Sequence, residues 1–143
     1  MIVREVTAAD VDPVLALQPV CFAEDPWTRG MIEEEVRRPG GIFLAAEEDD
    51  QLVGFAIGWN VLAELHVLQV AVRPTARRAG LGRKLMIALH EAARGAEAAW
   101  LEVRLDNMAA IHLYEGLSYA AVARRPRYYP DGCDAVVMRR KLP

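Results

Sequence analysis

Cysteine is scarce in this chain, and no long hydrophobic run occurs in it. The only cysteines among the 143 residues are Cys21 and Cys133, and neither lies at a metal-ligand spacing from another cysteine or a histidine. Charged residues or glycines interrupt every apolar stretch before the roughly 20 residues of a membrane-spanning helix. Residues 2–6 are typical of a β-strand rather than a secretory signal. We therefore expect a cytoplasmic protein with reduced thiols, no disulfide framework, no metal site and no membrane partner.

Charge of one sign does not dominate either. The formal net charge is −3, which excludes bulk electrostatic attraction to nucleic acid. Residues 1–66 carry 13 acidic and 4 basic side chains, whereas residues 67–143 carry 7 acidic and 13 basic ones. The basic half suggests contact with a polyanion such as coenzyme A or RNA, unless both halves form one surface of mixed sign. Because no aromatic stacking motif accompanies the basic residues, no direct nucleic-acid contact is expected.

Length and periodicity predict one α/β domain over residues 1–143. The hydrophobic fraction of 53% is sufficient for one core. Strands are predicted at residues 2–6, 42–46, 52–61, 65–72, 98–105, 117–125 and 134–141, and helices near 11–19, 28–36, 80–94 and 107–114. The first four strands are expected to be antiparallel, and the fourth and fifth parallel, since a helix joins them in a right-handed crossover. Splayed parallel strands would leave a slot for an extended ligand.

The segment 68–89 is a buried strand, a basic loop and a helix, which is the arrangement that binds phosphate. Amides in the first helical turn have no intrahelical partner, and the helix dipole adds positive charge there. Gly80 and Gly82 allow close approach of an anion, and Arg77, Arg78 and Arg83 add full charges. Neither the Walker pattern nor the dinucleotide fingerprint fits this loop. The alternative is an ordinary turn with solvated arginines.

Several segments of the second half resemble one family. The pattern Arg77-x-x-Gly80-x-Gly82 resembles the acetyl-CoA loop of the GNAT acetyltransferase superfamily. Other segments resemble its RimI-type branch of ribosomal-protein alanine N-acetyltransferases: Trp100-Leu101-Glu102-Val103-Arg104, Asn107-x-x-Ala110-x-x-Leu113-Tyr114-Glu115, Tyr128-Tyr129-Pro130-Asp131-Gly132, Asp134-Ala135-Val136-Val137-Met138 and Pro26-Trp27-Thr28. The resemblance implies the GNAT fold, with its parallel strand pair splayed around acetyl-CoA.

The resemblance also implies roles for particular residues. Glu102 would be the general base and Tyr114 the general acid, with Tyr128 and Tyr129 along the acceptor groove. The implied acetyl-CoA-binding positions are Val70, Ala71, Val72, Arg77, Arg78, Ala79, Gly80, Leu81, Gly82, Arg83 and Asn107. The implied reaction is direct transfer of acetyl from acetyl-CoA to the α-amino group of a protein N-terminus, for example that of a small-subunit ribosomal protein.

Structural alternatives accompany each of these roles. Glu102 could form a salt bridge with Arg104 on the same strand face. Tyr114 could be a core aromatic, and Asn107 could be a helix N-cap. Two positions depart from the branch, because Ser118 stands where Gly is usual and Gln69 replaces a frequent Asn. His66 is expected to face the surface or the groove, and a catalytic role for it is disfavoured.

Two other functions remain open from the sequence. A small-molecule amine acetyltransferase would suit the acidic second helix, which could attract a polyamine as well as a basic peptide. A non-catalytic acetyl-CoA-binding module would bind the cofactor without turnover.

Overall fold

A computed structural model describes residues 1–77 and 79–143 of the chain, so the predicted loop residue Arg78 lies outside the described residues. The strands are β1 Ile2–Glu5, β2 Gly41–Glu48, β3 Gln51–Val61, β4 Glu64–Val72, β5 Ala98–Arg104, β6 Ala120–Arg125 and β7 Ala135–Lys141. The α-helices are α1 Val11–Cys21, α2 Arg29–Arg37, α3 Leu81–Ala92 and α4 Met108–Gly116.

The described strands form one mixed sheet in the order β1-β2-β3-β4-β5-β7-β6. Strands β1 to β4 are antiparallel neighbours, β4 and β5 are parallel, and β7 pairs antiparallel with both β5 and β6. The predicted GNAT-type α/β architecture is therefore confirmed.

The parallel pair separates partway along its length. Pairing between β4 and β5 ends at Val67 and Leu101, whereas β3 stays paired with β4 as far as Val72. Opposite β3, the register passes from Val67 to Gln69, so Leu68 is an extra residue in a β-bulge. Bulges bend a strand, and this one lies where β4 departs from β5. The second half of β4 consequently has an edge that no neighbouring strand pairs.

Helices cover both faces of the sheet. On one face α3 approaches the strands closely, and a Cβ added to Gly54 or Gly58 would lie 3.3 Å from Leu85 Cδ1 or Leu89 Cδ1 respectively. Both glycines therefore allow the helix to pack closely against β3. On the other face α1 and α2 cover a second hydrophobic cluster. The separated strands thus lie between two packed layers that hold them apart.

Most predicted boundaries move by one or two residues, and two of the differences are informative. The first helix continues beyond Pro19 to Cys21, so the proline lies in its last turn, where it removes one backbone donor without ending the helix. The sixth strand begins at Ala120 rather than at residue 117, because Leu117 caps α4 and Ser118 turns the chain with φ of +70°. The Tyr119 amide donates to Tyr114 O at 3.0 Å, which closes this turn.

Candidate active site

A cavity of about 480 Å³ occupies the gap between β4 and β5. The segment between α1 and α2 forms one wall, and the loop 126–134 between β6 and β7 forms another. Six of the predicted site residues line this cavity: Val70, Glu102, Asn107, Tyr114, Tyr128 and Tyr129. The fold thus brings together residues that are up to 59 positions apart in the sequence.

Backbone groups of β4 face the open side of this gap. The carbonyl of Val72 accepts hydrogen bonds from Arg77 Nε at 3.1 Å and from Cys21 Sγ at 3.6 Å, so it points away from β3. Because backbone groups alternate along a strand, those of Val70 point the same way. Ala71 is paired with Phe55, and its side chain is buried in the core beneath α1 and α2. Of the three predicted β4 positions, Val70 and Val72 therefore present polar backbone to the open edge.

The Glu102 carboxylate is nearly buried and accepts hydrogen bonds on both oxygens. His66 Nε2 lies 3.0 Å from Oε2, and the Tyr128 hydroxyl donates to Oε1 at 3.3 Å. Arg125 Nε lies 3.9 Å from Oε1. The alternative of a Glu102–Arg104 salt bridge is wrong, because Arg104 pairs with other carboxylates. Glu102 is thus held by groups that face the cavity.

These contacts keep Glu102 ionised. Burial by itself would raise its pKa, since it removes water from the charged form. The hydrogen bond and charge of His66 act in the opposite direction, together with the charge of Arg125 and the hydroxyl of Tyr128. The net effect lowers the pKa of Glu102 below its ordinary value. A carboxylate in this state accepts protons at neutral pH.

Tyr114 and Asn107 have the structural roles that the sequence offered as alternatives, and both also line the cavity. Tyr114 is packed in the hydrophobic core yet lines the cavity, and burial raises its pKa to about 12. Its hydroxyl is therefore protonated, and a donor, at any physiological pH. Asn107 caps α4, because its Oδ1 accepts from the Ala110 amide at 3.2 Å. Its side chain also borders the cavity.

The predicted phosphate loop lies at the start of α3, outside the lining of this cavity. Gly80 is the N-cap in a left-handed conformation with φ of +74°. Apart from the glycine and its chain neighbours, no heavy atom of the described residues lies within 4 Å of the position that a Cβ would take. Among the described residues no side chain caps the helix, which leaves its first amides available to an anion. Arg83 lies in the first turn. Arg77 and Ala79 border a separate, smaller cavity of about 310 Å³ beside the β2–β3 hairpin.

Two other residues of the loop have packing roles. The side chain of Leu81 is buried in the core. A Cβ on Gly82 would lie 3.1 Å from Leu113 Cδ2, so the glycine also brings α3 close to α4. Donor amides and an absent Cβ fit a diphosphate at this helix terminus, and the unpaired β4 edge fits an extended amide-containing arm.

His66 lines the cavity, and the sequence did not predict its contact with Glu102. Its ring is stacked on Trp100 with centroids 3.9 Å apart and an interplanar angle of 5°. Trp59 meets the same ring edge-on at 6.0 Å. These aromatic residues occupy cross-strand positions on β3, β4 and β5. The alternation of residues along β4 predicted that His66 faces the surface or the groove. Only the parallel register of β4 and β5 shows that its side chain reaches Glu102.

A parallel strand pair that separates over a cavity, an open helix terminus for a diphosphate and a buried carboxylate beside a phenol define an enzyme that transfers an acyl group from a nucleotide-linked donor. Comparison with known proteins identifies the family. The model of the acetyltransferase (GNAT) family matches residues 11–119. The chain belongs to this family and is an acetyl-CoA-dependent N-acetyltransferase of the RimI type, as the sequence resemblance predicted.

Individual relatives cover most of the chain. The N-alpha-acetyltransferase RimI of Mycobacterium tuberculosis is 35% identical over 140 residues, which cover 94% of this chain and 88% of that protein. The crystal structure of the ribosomal-protein-S18-alanine N-acetyltransferase from Escherichia coli has a TM-score of 0.90 at 30% identity, covering 99% of this chain and 93% of that one. Ard1 from Thermoplasma volcanium has a TM-score of 0.91 at 28% identity, covering 99% and 97%.

One relative is considerably longer than this chain. An uncharacterized protein of Mycobacterium leprae is 36% identical over 147 residues, which cover 99% of this chain but only 41% of that protein. None of the helices in residues 1–77 and 79–143 has the length and apolar character that crossing a membrane requires. In the same residues, no group of three or more His, Cys, Asp or Glu side chains is placed to hold a metal ion.

Proposed function

We propose that this enzyme acetylates the α-amino group of a protein N-terminus, and that a small-subunit ribosomal protein is one candidate acceptor. The observation that carries the proposal is the ionised Glu102 carboxylate, held by His66 in the cavity between the separated strands. The names of the relatives support it, since proteins matching most of this chain are an N-alpha-acetyltransferase and an S18-alanine N-acetyltransferase. The one-domain organisation and cytoplasmic location remain predictions.

The residues proposed to hold acetyl-CoA come from β4, the loop that follows it, the start of α3 and the N-cap of α4. The backbone of Val70 and Val72 binds the amide-containing arm, and Ala71 keeps that strand in register through its pairing with Phe55. Asn107 contributes from the cavity wall. The residues proposed to bind the diphosphate are Arg77, Ala79, Gly80, Leu81, Gly82 and Arg83, together with Arg78, which lies outside the described residues. When bound, acetyl-CoA supplies the thioester that the amine attacks.

Glu102 acts as the general base in this proposal. An α-ammonium has a pKa near 7.7–8.0, so forming the neutral amine at pH 7 costs only about 1 kcal/mol. A lysine ammonium, with a pKa near 10.4, would cost roughly 4–5 kcal/mol. A carboxylate with a lowered pKa is a weak base and therefore suits the first substrate better. His66 keeps this carboxylate ionised and aligned.

Tyr114 serves as the acid by donating a hydrogen bond to the sulfur that leaves. Its pKa of about 12 lies well above the roughly 8.5 of an ordinary thiol. Complete transfer of its proton to a free thiolate would therefore cost about 5 kcal/mol. A hydrogen bond that strengthens as the sulfur becomes negative avoids this cost and still stabilises the transition state.

Tyr128 and Tyr129 form the acceptor wall of the cavity. Tyr128 is half exposed, and its hydroxyl bonds to Glu102, so an acceptor amine that approaches the carboxylate passes this ring. Across the cavity, Glu24 and Asp25 are exposed at the end of the α1–α2 segment. They attract a cationic acceptor, which also favours the second candidate function, acetylation of a small polyamine.

Turnover with a panel of acceptors tests the proposal. Release of coenzyme A is measured with peptides bearing free N-termini, the same peptides with blocked N-termini, and small amines. We expect acetylation of free peptide N-termini with a preference over internal lysines, established by mass spectrometry. Activity confined to small amines would replace the proposal with the second candidate.

A further inference from the structure

The guanidinium of Arg104, at the last position of β5, lies between two carboxylates. Its Nη1 and Nη2 donate to the two oxygens of Asp131 at 3.0 and 2.7 Å. Its Nε and Nη2 also donate to the two oxygens of Asp106 at 3.1 and 3.0 Å. Such paired contacts fix both distance and orientation, which a single charge contact does not.

These contacts join two parts of the active site. Asp131 belongs to the loop 126–134, which carries Tyr128 and Tyr129 along the cavity. Asp106 belongs to the short connection between β5 and α4, directly before Asn107. Arg104 thus connects the loop that carries Tyr128 and Tyr129 to the connection between β5 and α4.

Asp131 takes part in one of several hydrogen bonds within the loop. Its Oδ1 accepts from the Cys133 amide at 3.2 Å as well as from Arg104. The Gly132 amide donates to Tyr129 O at 2.9 Å, and the Tyr129 amide donates to Cys133 O at 3.2 Å. The Arg104 guanidinium carbon also lies 5.1 Å from the centroid of the Tyr129 ring. The position of this ring therefore depends on Arg104 both through the loop backbone and directly.

The charge of Arg104 is already matched by two carboxylates, so this side chain is poorly suited to bind an acceptor carboxylate itself. Partly exposed ion pairs contribute little to global stability. A role in shaping the loop therefore explains this arrangement better than a role in holding the fold. Tyr128 has separate contacts with Glu102 and Arg125, so the dependence on Arg104 applies mainly to Tyr129.

We propose that Arg104 is a positioning residue for the acceptor: through its paired contact with Asp131 it holds the loop 126–134 in the conformation that receives the amine substrate. The inference rests on the acceptor-wall role in the proposed function but not on whether the acceptor is a protein or a small amine. It concerns the affinity for the acceptor rather than the chemistry at Glu102.

The test compares Arg104→Gln, Arg104→Lys and Asp131→Asn with the wild-type enzyme, using an acceptor that the wild type acetylates and saturating acetyl-CoA. We expect the acceptor KM to rise about tenfold in all three variants, with kcat changed less than about threefold. The Arg104→Lys variant should not restore the wild-type acceptor KM, since a point charge cannot reproduce the paired contact with Asp131. Asp106→Asn is the matched control, because it removes the other carboxylate of Arg104 without touching the loop, and its acceptor KM should stay within about twofold.

Two further measurements distinguish positioning from other roles. In the free enzyme, hydrogen exchange at the Tyr129, Gly132 and Cys133 amides should accelerate in the Arg104 and Asp131 variants and not in Asp106→Asn. The double variant Arg104→Gln/Asp131→Asn should have an acceptor KM no higher than that of either single variant, since all three variants break the same Arg104–Asp131 contact.

Several results would overturn the inference. Unchanged exchange and acceptor KM would mean that the loop is ordered without Arg104. A raised KM in Arg104→Gln but not in Asp131→Asn would mean direct binding of the acceptor by Arg104. A comparable loss of acetyl-CoA affinity by calorimetry would place Arg104 in the cofactor site. Acetylation of small amines only would reject the protein acceptor while leaving the KM comparison valid.

Discussion

His66 Nε2 lies 3.0 Å from Oε2 of Glu102. Glu102 is the first residue of β5 after its pairing with β4 ends at Leu101. The pair therefore spans the beginning of the gap that forms the cavity. Stacking on Trp100 fixes the plane of the imidazole, so the hydrogen bond has a defined direction. A base held in this way is oriented before any substrate arrives, which lowers the cost of reorganisation during the reaction.

His66→Phe should raise the pKa of Glu102. The phenyl ring can retain the stacking on Trp100, but it removes the hydrogen bond and charge that lower this pKa, so the burial that raises it dominates. The carboxyl carbon shift of Glu102, followed by NMR across an acid titration, gives the pKa directly. The exposed His112→Phe serves as the control and should leave it unchanged. An unaltered Glu102 pKa in His66→Phe would remove His66 from the proposed mechanism.

Glu102→Gln should lower kcat by about 10²- to 10⁴-fold, the usual contribution of a general base. The amide has nearly the same shape, so binding of acetyl-CoA measured by calorimetry should change little. Steady-state coenzyme A release provides kcat. A matched control is Glu64→Gln, which removes an exposed carboxylate from the start of β4. Full activity in Glu102→Gln would show that another group, or solvent, accepts the proton.

Ionisation of Tyr114 should not lower the activity at high pH. Its pKa of about 12 keeps the phenol protonated throughout the range in which the acceptor amine loses its proton. The value of kcat/KM should therefore rise from pH 7 and level off between pH 8 and 10 as the amine becomes neutral. Tyr114→Phe should lower kcat by about 10²-fold without altering this profile. A descending limb near pH 9 that disappears in Tyr114→Phe would contradict the raised pKa.

Much of the sheet was predictable from local patterns, because alternation and turn residues act over a few positions. The antiparallel meander and the parallel crossover are examples, whereas only the family resemblance singled out Glu102, Tyr114 and Asn107. The partners of Glu102 and Arg104 were not predictable, since both depend on register and on the path of a distant loop. A slip of one residue in β5 would turn Glu102 to the opposite face.

Ser118 shows a different limit of sequence reasoning. Its departure from the usual glycine was visible, but its φ of +70° required the structure. Ser118→Gly should stabilise the protein by about 0.5–1 kcal/mol, because relief of left-handed strain exceeds the added entropy of the unfolded chain. Urea unfolding measures this free energy. Ser118→Ala, which keeps the strain, should leave stability nearly unchanged, and a gain in that control would point to the side chain rather than the backbone.

Gly80→Ala tests whether the start of α3 binds the diphosphate. Gly80 and Gly95 both have left-handed backbone, with φ of +74° and +77°. In the described part of the chain, neither has a heavy atom within 4 Å of an added Cβ apart from its own chain neighbours. Alanine should therefore cost each site a similar free energy of unfolding, about 1 kcal/mol. Only Gly80 lies at the N-terminus where an anion would approach the backbone, whereas Gly95 follows the other end of the helix. Calorimetry should show at least a tenfold loss of acetyl-CoA affinity for Gly80→Ala and none for Gly95→Ala. Equal affinities in the two variants, at equal stability, would mean that the diphosphate binds elsewhere.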